Sequence, residues 1–180
     1  MGLAAELHLP AAERSLLGRS PVGRSIRWFA ATRGGARISA LLLSRLDRAA
    51  LALTGGRFTI ANGPGGVPTL FLTTRGARSG QPRTVQLIAV PAGDDLAVIG
   101  SNFGGRDHPA WVHNLTADPR AVAGYRDRRV EVIARELTGL EAEPVWAAAR
   151  ALNRGFTTYP GLAGSREIRV FRLEPVSRPG

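Results

Sequence analysis

The chain has no cysteine and no lysine among its 180 residues, and only one methionine and two tyrosines. Without cysteine there are no disulfide staples, no thiol nucleophile and no Cys-ligated zinc. The fold must therefore rest on an apolar core, which a chain of this length can bury unaided. Long apolar runs are missing too. None approaches the ~20 residues of a membrane-crossing helix, and residues 7–17 are too few and too broken by charge for a secretory leader. These absences predict a soluble or peripheral cytoplasmic protein.

Every one of the 24 basic residues is arginine, and the formal net charge is +10. A basic balance ordinarily raises nucleic acid as a partner. An arginine-only bias instead reads as the mark of a GC-rich genome, and no aromatic–basic strand pattern suited to RNA is present, so no nucleic-acid partner is expected. Residues 1–57 hold nine arginines against three acids, whereas 58–180 hold fifteen against eleven. The basic, partly apolar N-terminal third leaves peripheral membrane contact through residues 1–53 open as an alternative to simple core packing.

Several chemistries are also absent. His8, His108 and His113 are joined by no carboxylate in a metal-site spacing, so no metal is expected. No nucleophile elbow, Ser-His-Asp order or apolar carboxylate pair occurs, which disfavours hydrolysis. The glycine clusters lack the strand–glycine–helix setting of a Rossmann or P-loop site.

What is present centres on residues 73–83, which carry Arg75, Arg78 and Arg83 between two apolar runs, with Gly76, Gly80 and Pro82 as turn residues. The stretch reads as a hairpin tip joining strands over 69–73 and 84–90. Glycines let backbone N–H groups approach a ligand, and arginines offer forked donors to phosphate or carboxylate, so the tip suits an anionic ligand. A polar surface hairpin is the competing reading.

Further strands are predicted over 57–61, 96–101, 121–126, 129–137 and 168–173, joined by short turns. Six or seven antiparallel strands with a few helices imply a mainly β fold, a small barrel closed to remove its edges. Helices are predicted over 36–53 and over 141–152, with Pro144 in the first turn of the latter. Residues 1–35 read as a loose or partly helical arm. A second constellation follows Ser101: a glycine loop, then a short helix starting near Pro109 and stopping before Pro119. Trp111 and Leu115 lie one turn apart and face inward. Asn114 sits near that face, able to bond a heterocycle's edge or to satisfy a core polar group.

Taken together, these residues resemble the deazaflavin-dependent nitroreductase family, actinobacterial split-barrel oxidoreductases that use coenzyme F-420. Three blocks carry the likeness: Thr73-Thr74 with Gly76 through Arg83, Ser101 through Leu115 with Pro109, Trp111 and Asn114, and Arg166-Glu167-Ile168 leading to Leu173-Glu174-Pro175. The resemblance implies a split β-barrel, FMN-binding-like, over 57–176, preceded by an arm and amphipathic helix over 1–56 and followed by a tail over 177–180. It implies 8-hydroxy-5-deazaflavin (coenzyme F-420) as cofactor, with FMN as the alternative. The partner is a small-molecule acceptor of quinone or nitroaromatic type, and a homodimer stays open.

Carried over by motif, Arg78, Ser79 and Arg83 would grip phosphate and tail, with Arg75 substituting for an arginine that is Ala77 here. Thr84, Val85, Gln86, Leu87 and Ile88 would line the cofactor. Ile99, Gly100, Ser101 and Asn102, with Ala110, Trp111, Val112, His113 and Asn114, would hold the ring. Ser101 and Tyr159 would be the catalytic hydrogen-bond donors to the acceptor. A non-catalytic basic carrier or surface-binding module is the rival of another class. The chain departs from the family pattern at Ala77, at Asn102 where a lysine is usual, at Gln86 where a proline is usual, and in its few tyrosines. These departures bear on tail affinity and substrate choice.

Overall fold

Two-residue turns set the strand order. Gly93, at φ 67°, and Asp94 connect a strand pair closing at Ala92 and Asp95, and Arg126-Asp127 connect a pair closing at Tyr125 and Arg128. Such short connections, with left-handed residues, force neighbouring strands to be antiparallel. The computed structural model describes residues 2–7 and 68–176. The expected helix over 36–53 and strand over 57–61, and nearly all of the arm proposed for membrane contact, lie outside the described residues.

Seven strands form one antiparallel sheet: β1 (Thr69–Arg75), β2 (Pro82–Ile88), β3 (Val90–Ala92), β4 (Asp95–Ile99), β5 (Arg120–Tyr125), β6 (Arg128–Leu137) and β7 (Val170–Pro175). Their order is β2-β1-β5-β6-β7-β4-β3. The two edges, β2 and β3, are consecutive in the chain and meet at Ala89, whose N–H donates to the Pro68 carbonyl at 2.8 Å. Among the described strands no ladder joins these edges, and the curled sheet is the split barrel that the resemblance implies. The mainly β architecture with flanking helices is the one expected.

Alternation of side chains divides the core in two. Along β4 every residue is buried, because Leu96 and Val98 face one cluster while Ala97 and Ile99 face the other. A strand covered on both faces reads as an unbroken apolar run. The first cluster covers one face of the sheet with Leu70, Leu72, Ala123, Val132, Phe171 and Leu173, and helix α2 (Ala110–Ala117) packs into it through Trp111, Val112 and Leu115. Helices α3 (Glu143–Leu152) and α4 (Gly155–Leu162) cover the second through Val145, Ala149, Phe156 and Tyr159. Helix α3 begins with Pro144 in its first turn, as expected, whereas α4 was not foreseen because its Gly155, Pro160 and Gly161 read as breakers.

The N-terminal turn α1 (Leu3–Glu6) buries Leu3 and Leu7 in the first cluster. It is held by Asp95, which accepts the Leu3 N–H at 3.1 Å and binds Arg172 through its other oxygen at 2.7 Å. One buried carboxylate thus joins the start of the chain to β4 and β7.

Candidate active site

The hairpin joining β1 to β2 is paired up to Arg75 and Pro82, leaving residues 76–81 as its tip. Gly76 N–H donates to the Gln81 carbonyl at 2.9 Å and Gly80 N–H to the Gly76 carbonyl at 2.7 Å. Gly80 sits at φ 66°, a region that glycine adopts without strain. A Cβ on Gly76 would lie 2.7 Å from the Ser79 hydroxyl and 3.1 Å from the Gln81 carbonyl, so a side chain there would displace Ser79 and crowd the tip. Arg78, Ser79 and Arg83 are exposed, and among the described residues no ion pair engages Arg78 or Arg83. Arginines left without carboxylate partners can bind an external anion at no cost in broken salt bridges.

Helix α2 lies opposite the tip. It follows β4 through a loop whose close approach depends on Gly100, where a Cβ would come within 2.7 Å of Val112 Cγ2. Pro109 precedes the first helical residue in extended conformation and starts the helix. Trp111 is buried and meets the Phe171 ring edge-to-face, with centroids 5.9 Å apart. Helix and tip are joined by Asn114, whose Nδ2 donates to Thr74 Oγ1 at 3.0 Å and whose Oδ1 accepts the Ala77 N–H at 3.0 Å.

Between them lies a cavity of about 780 Å³ lined by Thr74, Gly76, Ala77, Arg78, Ser79, Arg83, Thr84 and Val85 from the hairpin and by His108, Pro109, Ala110, Trp111, His113 and Asn114 from the helix side. That volume suits a ligand of cofactor size. One end carries guanidiniums and turned backbone, and the other an indole and two imidazoles.

Of the residues singled out from sequence, Arg78, Ser79, Arg83, Thr84, Val85, Ala110, Trp111, His113 and Asn114 line this cavity. Arg75 lines neighbouring clefts with Asp118 and Arg120. Val112 and Ile99 are buried in the two clusters. Gln86 donates to Thr69 Oγ1, and Leu87 and Ile88 pack against the core. Gly100, Ser101 and Asn102 form the loop behind the helix. Thr74, Gly76, Ala77, His108 and Pro109 also line the cavity, although none was among the residues expected to bind the cofactor. Period-two alternation from Leu70 and Leu72 would have placed Thr74 inward.

Ser101 and Tyr159 stand apart from the cavity lining. The Ser101 carbonyl accepts Arg166 Nη2 at 2.8 Å, and the loop after it holds Asn102 and Phe103 at φ 46° and 52°. Two successive non-glycine residues in the left-handed region are a strained arrangement. Phe103 is half-exposed and packs on Tyr159, which also meets Phe156. Burial raises the Tyr159 phenol pKa above its usual value, keeping the hydroxyl protonated. Arg166 draws the loop together by donating to the carbonyls of Gly105, Gly100 and Ser101 at 2.9, 3.0 and 2.8 Å. Among the described residues no cluster of His, Asp and Glu could hold a metal ion.

A split barrel whose arginine-bearing hairpin faces a tryptophan-bearing helix across one cavity defines the class. The chain belongs to the F420H(2)-dependent quinone reductase family, whose model matches residues 43–175. The F420H(2)-dependent quinone reductases of two Mycobacterium tuberculosis strains are each 38% identical over 72 residues, or 40% of this chain. The chain spans about half the length of these relatives, 48%. A solved structure of an F420-H2 dependent reductase superposes with TM-score 0.54 at 33% identity, over 59% of this chain and 94% of that one. Another, described as a domain-swapped dimer, superposes with TM-score 0.56 at 28% identity, over 76% of this chain and 98% of its own.

Proposed function

We propose that the protein is a coenzyme F-420-dependent oxidoreductase that reduces a quinone-type acceptor, with nitroaromatics as further acceptors, and that residues 57–176 are its cofactor domain. The observation that carries this reading is the single cavity shared by Arg78, Ser79 and Arg83 and by Trp111. An oxidoreductase needs a ring held flat and a tail held by charge, and the residues present fit such a group. Arg78 and Arg83 would bind the phosphate and the acidic tail, Trp111 would wall the ring, and the turned backbone of Gly76 and Ala77 would close over their junction. When bound in its reduced form, the deazaflavin supplies a hydride, a two-electron reductant.

What the chain contributes is binding, orientation and exclusion of water. The hairpin tip and α2 cover the cofactor from two sides, and the loop after Ser101 gives the acceptor a half-exposed aromatic ring, Phe103, to pack on. Ser101 and Tyr159 are assigned to the acceptor side. The Ser101 or Tyr159 hydroxyl, beside Phe103 and outside the cavity lining, would donate to the acceptor oxygen as negative charge builds there. Hydride brings two electrons and one proton to a quinone, and the second proton comes from solvent.

We place the protein in the cytoplasm. Among the described residues no helix is long and apolar enough to cross a membrane. The test of function is to mix the purified full-length chain with reduced coenzyme F-420 and follow its oxidation across quinones and nitroaromatics. Rapid, protein-dependent oxidation by a quinone supports the reading. Tight FMN binding with no deazaflavin binding would replace it with a flavin reductase.

A further inference from the structure

Arg166 has an unusual set of partners. It spends its guanidinium on three backbone carbonyls, and among the described residues no carboxylate pairs with it. Its remaining contact is His108: Nη1 stands 3.4 Å from His108 Nδ1. A guanidinium carries donors only, so the imidazole nitrogen facing it must be the one bearing the lone pair. In a neutral imidazole the proton then resides on Nε2, at the far end of the ring. His108 also lines the cavity and Arg166 does not. The protonated end is therefore the end free to meet a ligand.

We propose that His108 is a neutral hydrogen-bond donor at the ring end of the cavity, fixed in its Nε2–H form by Arg166, and that it recognises a carbonyl oxygen of the bound heterocycle. This rests on the reading of the cavity as a deazaflavin site. The division of labour is physical: the tail end needs charge, which Arg78 and Arg83 supply, while a ring carbonyl needs direction, which one fixed N–H gives. Burial first, then the positive charges of Arg166, His113 and Arg169, opposed only by Glu136, hold the His108 pKa below its ordinary value and keep the ring neutral. His113 meets the His108 ring edge-to-face, with 5.8 Å between centroids. Arg166 is accordingly a positioning residue, acting on the ligand through His108.

The test has two arms on the full-length chain. Nitrogen-15 NMR of the histidines reads the His108 tautomer directly: the Nε2–H form is expected, with its titration moving to higher pH in Arg166→Met. Coenzyme F-420 affinity is then measured for His108→Gln, whose amide nitrogen reaches the Nε2 position, and for His108→Leu. The glutamine is expected to bind within about threefold of wild type and the leucine about tenfold more weakly, the effect of one lost hydrogen bond. An Nδ1–H tautomer, or both variants binding as wild type does, would overturn the inference while leaving the proposed function intact. Failure of the wild type itself to bind the deazaflavin would overturn the proposed function, and with it the ring as partner of His108. The tautomer arm needs no variant, so an unfolded His108→Leu cannot hide the answer.

Discussion

Asn114 accepts the Ala77 N–H at 3.0 Å across 37 positions of sequence, and its other amide end donates to Thr74 in the same hairpin. Both ends of this buried side chain are thus engaged within the protein, and they tie the arginine-bearing tip to the helix bearing Trp111. Asn114→Ala leaves a backbone donor and a threonine hydroxyl without their partner. The expected cost is about 1–3 kcal/mol of stability, read by chemical denaturation, together with faster hydrogen exchange at the Ala77 amide. Asn114→Asp keeps the acceptor for Ala77 and loses less.

Arg78 and Arg83 line the cavity, and among the described residues no carboxylate pairs with either. Replacing either with alanine is expected to weaken deazaflavin binding by about 10-fold or more, since charge-assisted bonds are worth roughly 1.5–3 kcal/mol. The remaining affinity becomes less dependent on salt. Calorimetric titration at two ionic strengths reads both effects, and stability is unchanged because no native ion pair is lost.

Gly100 permits the end of β4 to lie against α2. Gly100→Ala places a methyl 2.7 Å from Val112 Cγ2 and 3.3 Å from the Arg169 carbonyl. Overpacking of this kind costs about 1–3 kcal/mol, seen as a lower melting temperature, and moves α2 away from the hairpin.

The depressed His108 pKa makes stability depend on pH with a definite sign. The unfolded chain takes up this proton near the ordinary 6.5, whereas the folded chain resists it until lower pH because of burial and then Arg166. Between those values the unfolded state binds more protons, so stability falls as pH drops below 6.5 and through the folded pKa. Thermal melts at about pH 5 and about pH 7.5 should differ less in His108→Gln than in wild type.

Ser101 and Tyr159 are tested by turnover. If they donate to the acceptor, the Ser101→Ala, Tyr159→Phe double variant loses about 10- to 100-fold in kcat while deazaflavin affinity holds, the effect of removing polar donors aimed at developing charge. Unchanged turnover would remove both from the reaction.

Much of this was legible in the sequence because it rests on local chemistry. The turn at Gly93, the turn expected at Asp127-Arg128 and found one residue earlier at Arg126-Asp127, and the proline at the start of α2 each report on a few neighbouring residues. Helix α4 escaped because Gly155 and Pro160 oppose helix by propensity. Tertiary packing overrides them: the Tyr159 hydroxyl lies where a Gly155 side chain would go, 2.4 Å from the site of its Cβ, with the ring's Cζ at 2.5 Å. The site divides the same way. Arg78 and Arg83 stood out by charge and spacing, whereas His108 gains its role from Arg166, a residue 58 positions away. Partnerships over such separations leave no local pattern.

The most direct measurement is an NMR titration of the full-length protein with coenzyme F-420. The account predicts that the amide signals of Arg78, Ser79 and Arg83 and the indole signal of Trp111 shift together and saturate at the same ligand concentration, because one molecule spans both ends of the cavity. Shifts confined to the hairpin, with Trp111 unmoved at saturation, would contradict it.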